Sequence, residues 1–128
     1  MNVINTSYFR LEYDQKEQQL VQIWTGFADS DTFRKAIDKT VDFVKENPVR
    51  TIISDTTNQK VVKPEDSNYA ASKLPVMFAA GVQAMAFVLP ENIFTKMSLK
   101  GFAEAKKSDR VEFFASVYDA KTWLSSYK

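Results

Sequence analysis

Residues 82–89 read Val-Gln-Ala-Met-Ala-Phe-Val-Leu, and this run constrains the architecture more strongly than any other segment. Its length is that of a β-strand, and Gln83 is its single polar residue. A strand that is apolar at nearly every position is buried on both faces, as at the centre of an α/β sheet. The run therefore predicts a central strand of such a sheet.

Strands and helices are predicted to alternate on both sides of this run. Short β-rich segments at residues 51–53 and 111–117 predict neighbouring strands. Segments with helical spacing of apolar residues lie at residues 31–47, 64–81, 91–107 and 119–127. Ser30 or Asp31 is expected to cap the first helix, and Pro75 is expected to kink or split the second.

The first part of the chain is predicted to form an antiparallel hairpin. Residues 8–13 alternate between apolar and polar, a polar turn follows, and residues 20–27 are again rich in β-formers. The element order is then β-β-α-β-α-β-α-β-α, in one domain over residues 1–128. This order indicates an α/β fold with a single mixed, mostly parallel sheet of about five strands and four helices.

Composition limits the chemistry that the chain can perform. It contains no Cys and no His, which excludes thiolate and imidazole ligands, thiol nucleophiles and the Ser-His-Asp triad. No phosphate-binding glycine loop, zinc signature or nucleophile elbow is present. We therefore expect a protein that is not an enzyme and that uses neither a metal nor a cofactor.

Charge and hydropathy indicate where the protein acts. The net charge is +1 at pH 7, and the basic residues are scattered among acids, so we expect no nucleic-acid partner. Residues 1–7 do not resemble a signal peptide. The longest apolar stretch, residues 74–90, is interrupted by Pro75 and Gly81, which predicts no transmembrane segment and a cytoplasmic location.

A polar run directly after the strand at residues 51–53 is the first candidate site. In open α/β sheets, ligands bind in the crevice beyond the carboxyl ends of the strands. We predict that this run is a loop that binds a partner or ligand, with Thr56 and Thr57 as possible phosphate acceptors. The alternative is that these side chains hydrogen-bond their own backbone, as in Asx and Ser/Thr turns. The run comprises Ser54, Asp55, Thr56, Thr57 and Asn58.

A second candidate lies in the proline-interrupted helical segment, where Tyr69, Met77 and Phe78 are predicted to form a lid over an apolar pocket or a dimer face. The alternative is ordinary core packing. A set of aromatic and Met residues further on also has two interpretations, the lining of a lipid cavity or a helical stripe of the core. This set is Phe94, Met97, Phe102 and Trp123. Glu65 and Asp66 are interpreted as acids favoured at a helix N-terminus.

Short motifs along nearly the whole chain carry a family resemblance. They are Gly26-Phe27, Ile52-Ile53-Ser54-Asp55, Lys63-Pro64-Glu65-Asp66, Ala80-Gly81-Val82 and Ala120-Lys121-Thr122-Trp123-Leu124. With these motifs the chain resembles the SpoIIAA-like proteins, small relatives of the STAS domains of anti-sigma-factor antagonists. Their fold is also similar to the lipid-carrying Sec14 (CRAL-TRIO) domain.

The resemblance implies two functions. One is a regulatory or protein-interaction module, able to form a homodimer, that docks through the segment after the third predicted strand. In STAS antagonists a phosphorylatable Ser follows an Asp there, and Asp55-Thr56-Thr57 is the equivalent place. The other is a Sec14-like carrier that binds a lipid or another small apolar ligand.

Overall fold

A computed structural model describes residues 1–60, 62–90 and 110–127 of the chain. In these residues the strands are β1 (Asn2–Asn5), β2 (Phe9–Asp14), β3 (Gln19–Gly26), β4 (Thr51–Gln59), β5 (Ala84–Val88) and β6 (Val111–Phe114). The helices are α1 (Ser30–Glu46), α2 (Pro64–Ser72), α3 (Leu74–Ala79) and α4 (Val117–Leu124). The predicted helix at residues 91–107 lies outside the described residues.

The strands form one mixed sheet in the order β1-β2-β3-β4-β5-β6. The pairs β1–β2 and β2–β3 are antiparallel, and the pairs β3–β4, β4–β5 and β5–β6 are parallel. The predicted α/β class, the hairpin and the parallel strands after it are confirmed. The predicted number of about five strands is too low, because β1 pairs through its backbone although Val3 and Ile4 are its only apolar residues.

Strand β4 is the largest departure from the prediction. It was expected to end at residue 53, but it continues to Gln59, so the predicted loop at residues 54–58 is wrong. The backbone of β4 pairs with β3 on one side and β5 on the other. These hydrogen bonds do not depend on side-chain polarity, and Ser and Thr fit a strand wherever their hydroxyl groups find partners.

Helix ends follow local sequence rules. Asp29, rather than the predicted Ser30 or Asp31, caps α1, and its carboxylate accepts a hydrogen bond of 2.8 Å from the Thr32 N–H. Pro75 lies in the first turn of α3, where its missing N–H is not needed. The predicted split of the second helical segment is confirmed, with α2 ending at Ser72 and α3 beginning at Leu74.

Two apolar layers cover the sheet. Helices α1, α2 and α3 lie against one face, where Leu20, Ile52 and Met85 are buried. Helix α4 packs on the opposite face, against a smaller core that contains Ile53 and Ala86. Because residues that are neighbours along a strand point to opposite faces, adjacent residues of β4 belong to different layers.

Candidate ligand cavity

The layer between the sheet and helices α1, α2 and α3 contains a cavity of about 890 Å³. Its floor is the face of strands β3 to β6, and its roof comes from α2 and α3. The roof side chains include Ala70, Leu74, Met77 and Phe78. The cavity is partly open to solvent, so it is a cleft beside the core rather than one of the small closed voids of a packed interior.

The central row of the floor is set by strand register. Gln22 of β3 lies beside Ser54 of β4, Ser54 lies beside Phe87 of β5, and Phe87 lies beside Phe113 of β6. All four side chains line the cavity. The rings of Phe87 and Phe113 are stacked with centroids 5.7 Å apart. The row is therefore polar at the β3 end and aromatic at the β6 end.

The residues of the predicted polar site do not share one face, because successive side chains of a strand point to opposite sides of the sheet. Ser54 and Thr56 line the cavity, whereas Asp55 is paired with Val88, whose side chain belongs to the α4 layer. Thr57 and Asn58 are exposed and do not line the cavity. A set that was predicted to act together is therefore distributed over two faces of the sheet.

A β-bulge brings Gln59 to the cavity. Between two paired positions, β3 advances from Ile23 to Thr25 while β4 advances from Asp55 to Asn58. The extra residue in β4 reverses which face its later side chains point to. Gln59, beside Gly26, consequently lines the cavity.

Hydrogen bonds within the protein occupy three side chains of the same strand. The Asp55 carboxylate accepts from the Thr57 N–H at 3.0 Å and from the Thr57 hydroxyl at 2.6 Å. The Thr56 hydroxyl donates to the Val88 carbonyl at 2.7 Å. For Asp55 and Thr57 the structure thus shows the backbone-turn interaction that was the alternative to a binding role.

Of the three residues that were predicted to form a lid or a dimer face, two line the cavity and one does not. Met77 and Phe78 line the cavity, with Met77 only 4% exposed. Tyr69 does not line it and instead joins α2 to α1, because its hydroxyl donates to the Asp38 carboxylate. This hydrogen bond is the main reason that the pKa of Tyr69 is raised. The cavity therefore brings together Ser54, Thr56, Met77 and Phe78.

The polar or amphipathic cavity residues that were missed from the sequence include Gln22, Trp24 and Thr40. The Gln22 amide donates to the Thr40 hydroxyl at 3.0 Å, and the Trp24 indole N–H donates to the Ser54 hydroxyl at 3.2 Å. The signal available was the alternation of β3, which places Gln22 on the same inward face as Leu20 and Trp24.

A buried carboxylate fastens the roof to α1. Asp66, in the first turn of α2, is 3% exposed. It accepts hydrogen bonds from the Ser30 hydroxyl at 2.7 Å and from Arg34 Nε at 3.0 Å. The Ser30 hydrogen bond lowers the pKa of Asp66, and Arg34 acts in the same direction against the effect of burial. From the sequence, Asp66 was interpreted only as an acid favoured at a helix N-terminus, so its contact with α1 was not predicted.

Lowering the pH should weaken the contact of Asp66 with Ser30 and Arg34, because the carboxylate becomes protonated. A carboxyl group whose pKa is lowered in the folded state stabilises the protein above its unfolded pKa of about 3.9, and this contribution is lost as the pH falls through the folded pKa. We expect Asp66→Asn to be less stable than the natural protein at pH 7. The difference in the free energy of unfolding should shrink between pH 5 and pH 3, measured by urea denaturation.

The matched control is Glu65→Gln, which neutralises an exposed acid in the same helical turn. Its difference from the natural protein should stay small across the same pH range. A pH-independent effect of Asp66→Asn would contradict the role given to the ionised carboxylate.

The cavity lining is uncharged throughout the described part of the chain. Within the same residues, no group of three or more acidic side chains is placed to hold a metal ion. No helix found there has both the length and the apolar character needed to cross a bilayer.

No protein-family model matches the chain, and a search of curated proteins finds no matching sequence.

Proposed function

We propose that the protein binds a small, mostly apolar molecule in the cavity between its sheet and helices α1, α2 and α3. The observation that carries the proposal is the cavity itself, with a volume of about 890 Å³ and a largely apolar lining. Ligand sites commonly have volumes of roughly 300–1,000 Å³ and combine apolar walls with a few polar groups.

The composition of the walls supports binding rather than chemistry. Met77, Phe78, Phe87 and Phe113 offer flexible and aromatic contact area. The polar groups of the described lining are amides, hydroxyls and one indole, which orient a molecule by hydrogen bonding. The function proposed is thus that of a carrier, as the Sec14-like resemblance implies.

Docking of a protein partner is the second candidate. Thr57 and Asn58 are exposed near the end of β4, and they are the part of the predicted polar site that a partner can reach. Phosphorylation of Thr56 or Thr57, a homodimer and a cytoplasmic location also stay predictions. Of the two predicted phosphate acceptors, Thr57 is the more accessible, since Thr56 is only partly exposed and its hydroxyl is bonded within the sheet.

The position of the two tryptophans provides a test of ligand binding. Trp24 lines the cavity, whereas Trp123 lies on the other face of the sheet, 5.7 Å from the ring of Phe114. In a Trp123→Phe variant, titration with 1-dodecanol should change the Trp24 emission saturably, with one molecule bound per chain. The matched Trp24→Phe variant keeps Trp123 and should show no comparable change.

Two results would contradict the proposal. One is the absence of saturable binding in calorimetry of the natural protein. The other is an equal response of both tryptophan variants, because a surface or detergent-like interaction of the alcohol would not distinguish the two faces of the sheet.

A further inference from the structure

We infer that the ligand carries one uncharged polar group that both donates and accepts a hydrogen bond, and that Gln22 and Ser54 hold this group. The inference rests on the proposed function and specifies the class of ligand. It begins from two polar side chains that are each 2% exposed and that lie side by side on the cavity floor.

The first of these side chains, Gln22, has a fixed orientation. The Thr40 hydroxyl donates its single proton to the Ala36 carbonyl at 2.9 Å, so Thr40 can only accept from Gln22. Gln22 must therefore turn its NH₂ group toward Thr40. Its Oε1 atom then remains as an acceptor on the cavity floor, and no described residue donates a hydrogen bond to it.

Ser54 is constrained in the complementary way. The indole N–H of Trp24 is a donor only, so the Ser54 oxygen must accept from it. The Ser54 hydroxyl proton is left to be donated, and it forms no hydrogen bond to any residue with a described position. The floor thus presents one acceptor and one donor on adjacent strands.

Such a pair matches a specific kind of polar group. Buried polar groups are costly when they lack hydrogen-bond partners, so a ligand that satisfies both is favoured over one that satisfies neither. A hydroxyl or a primary amide can donate to Gln22 and accept from Ser54. The stacked rings of Phe87 and Phe113 continue the same row and would contact the apolar part of the molecule.

The charge of the ligand follows from the same walls. In the described part of the lining no Lys or Arg is present to pair with a carboxylate or a phosphate. An ionised group buried without a partner pays a large desolvation penalty. The structure therefore points to neutral alcohols or amides rather than fatty-acid anions as the preferred class.

Three probes that are each built on a dodecyl or dodecanoyl chain separate these contributions: 1-dodecanol, dodecyl methyl ether and dodecanoate at pH 8. The ether accepts from Ser54 but cannot donate to Gln22. Calorimetry on the natural protein should give a dissociation constant about five- to tenfold lower for the alcohol than for the ether. Dodecanoate should bind at least about tenfold more weakly than the alcohol.

Gln22→Met keeps the length of the side chain and removes its acceptor. The preference for the alcohol over the ether should fall to about one, since the proton of the alcohol then has no partner. Gln83→Met makes the same substitution at an exposed glutamine that does not line the cavity, and it should leave the preference intact. In a second test, Ser54→Ala should weaken the binding of the alcohol and of the ether by similar factors.

The outcomes distinguish the inference from the proposed function. If the three probes bind the natural protein equally, or if Gln22→Met keeps the alcohol preference, the cavity is a ligand site but the inference is wrong. If dodecanoate binds most tightly of the three probes, the inference that the ligand is uncharged is wrong. If none of the probes binds, the proposed function itself is wrong and the inference falls with it.

Discussion

Replacing Ala70 with tryptophan is expected to weaken ligand binding strongly while the protein remains folded. Ala70 lies on α2, lines the cavity and is half-buried against the apolar core. A tryptophan side chain buries roughly 150–250 Å² and would occupy the space proposed for the ligand. We expect the affinity for 1-dodecanol to fall at least about 30-fold, which corresponds to about 2 kcal/mol, as measured by calorimetry.

The control for this substitution is Asn68→Trp on the same helix. Asn68 is exposed and does not line the cavity, so the same large side chain there should leave the affinity within about twofold. Circular dichroism should show that both variants keep the secondary structure. Equal affinities in the natural protein and in Ala70→Trp would mean that the alcohol binds elsewhere.

Replacing Ile52 with alanine is expected to cost about 2–5 kcal/mol of the free energy of unfolding. Ile52 is 0% exposed and lies on β4, between Leu20 of β3 and Met85 of β5. Deleting buried methyl and methylene groups removes transfer free energy and leaves a space that the neighbouring strands cannot fill. Urea denaturation followed by circular dichroism measures the change through the midpoint and slope.

Ile4→Ala is the matched control, since it deletes the same atoms from the edge strand β1. Ile4 is half-buried, so the loss of stability should be less than half that of Ile52→Ala. A loss below about 1 kcal/mol at Ile52 would contradict the central position given to β4. Both comparisons require that unfolding is two-state, which coincident transitions by two probes establish.

The sequence predicted those parts of the fold that depend on local periodicity. The apolar run at residues 82–89 contains β5, which is bonded to strands on both sides. Pro75 divides the second helical segment because proline breaks the main-chain hydrogen bonding of a helix interior. Such features are set by residues close in the chain, so no tertiary information was needed to predict them.

The candidate site was predicted only in part, because it depends on strand register. Ser54 and Thr56 were found as polar residues in the right segment, but the interpretation as a loop grouped them with Asp55, which faces the other layer. Gln22 lies far from Ser54 in sequence and becomes its neighbour only through parallel pairing of β3 with β4. Local periodicity does not reveal this pairing, because it joins strands that are separated in the chain by α1.

A crystal structure of the protein with 12-bromo-1-dodecanol would locate a bound molecule. We predict an anomalous bromine peak inside the cavity between the sheet and helices α1, α2 and α3. The alcohol oxygen should lie within hydrogen-bonding distance, about 2.7–3.2 Å, of Gln22. Bromine peaks confined to the outer surface, with no bound molecule in the cavity, would contradict the function proposed for this protein.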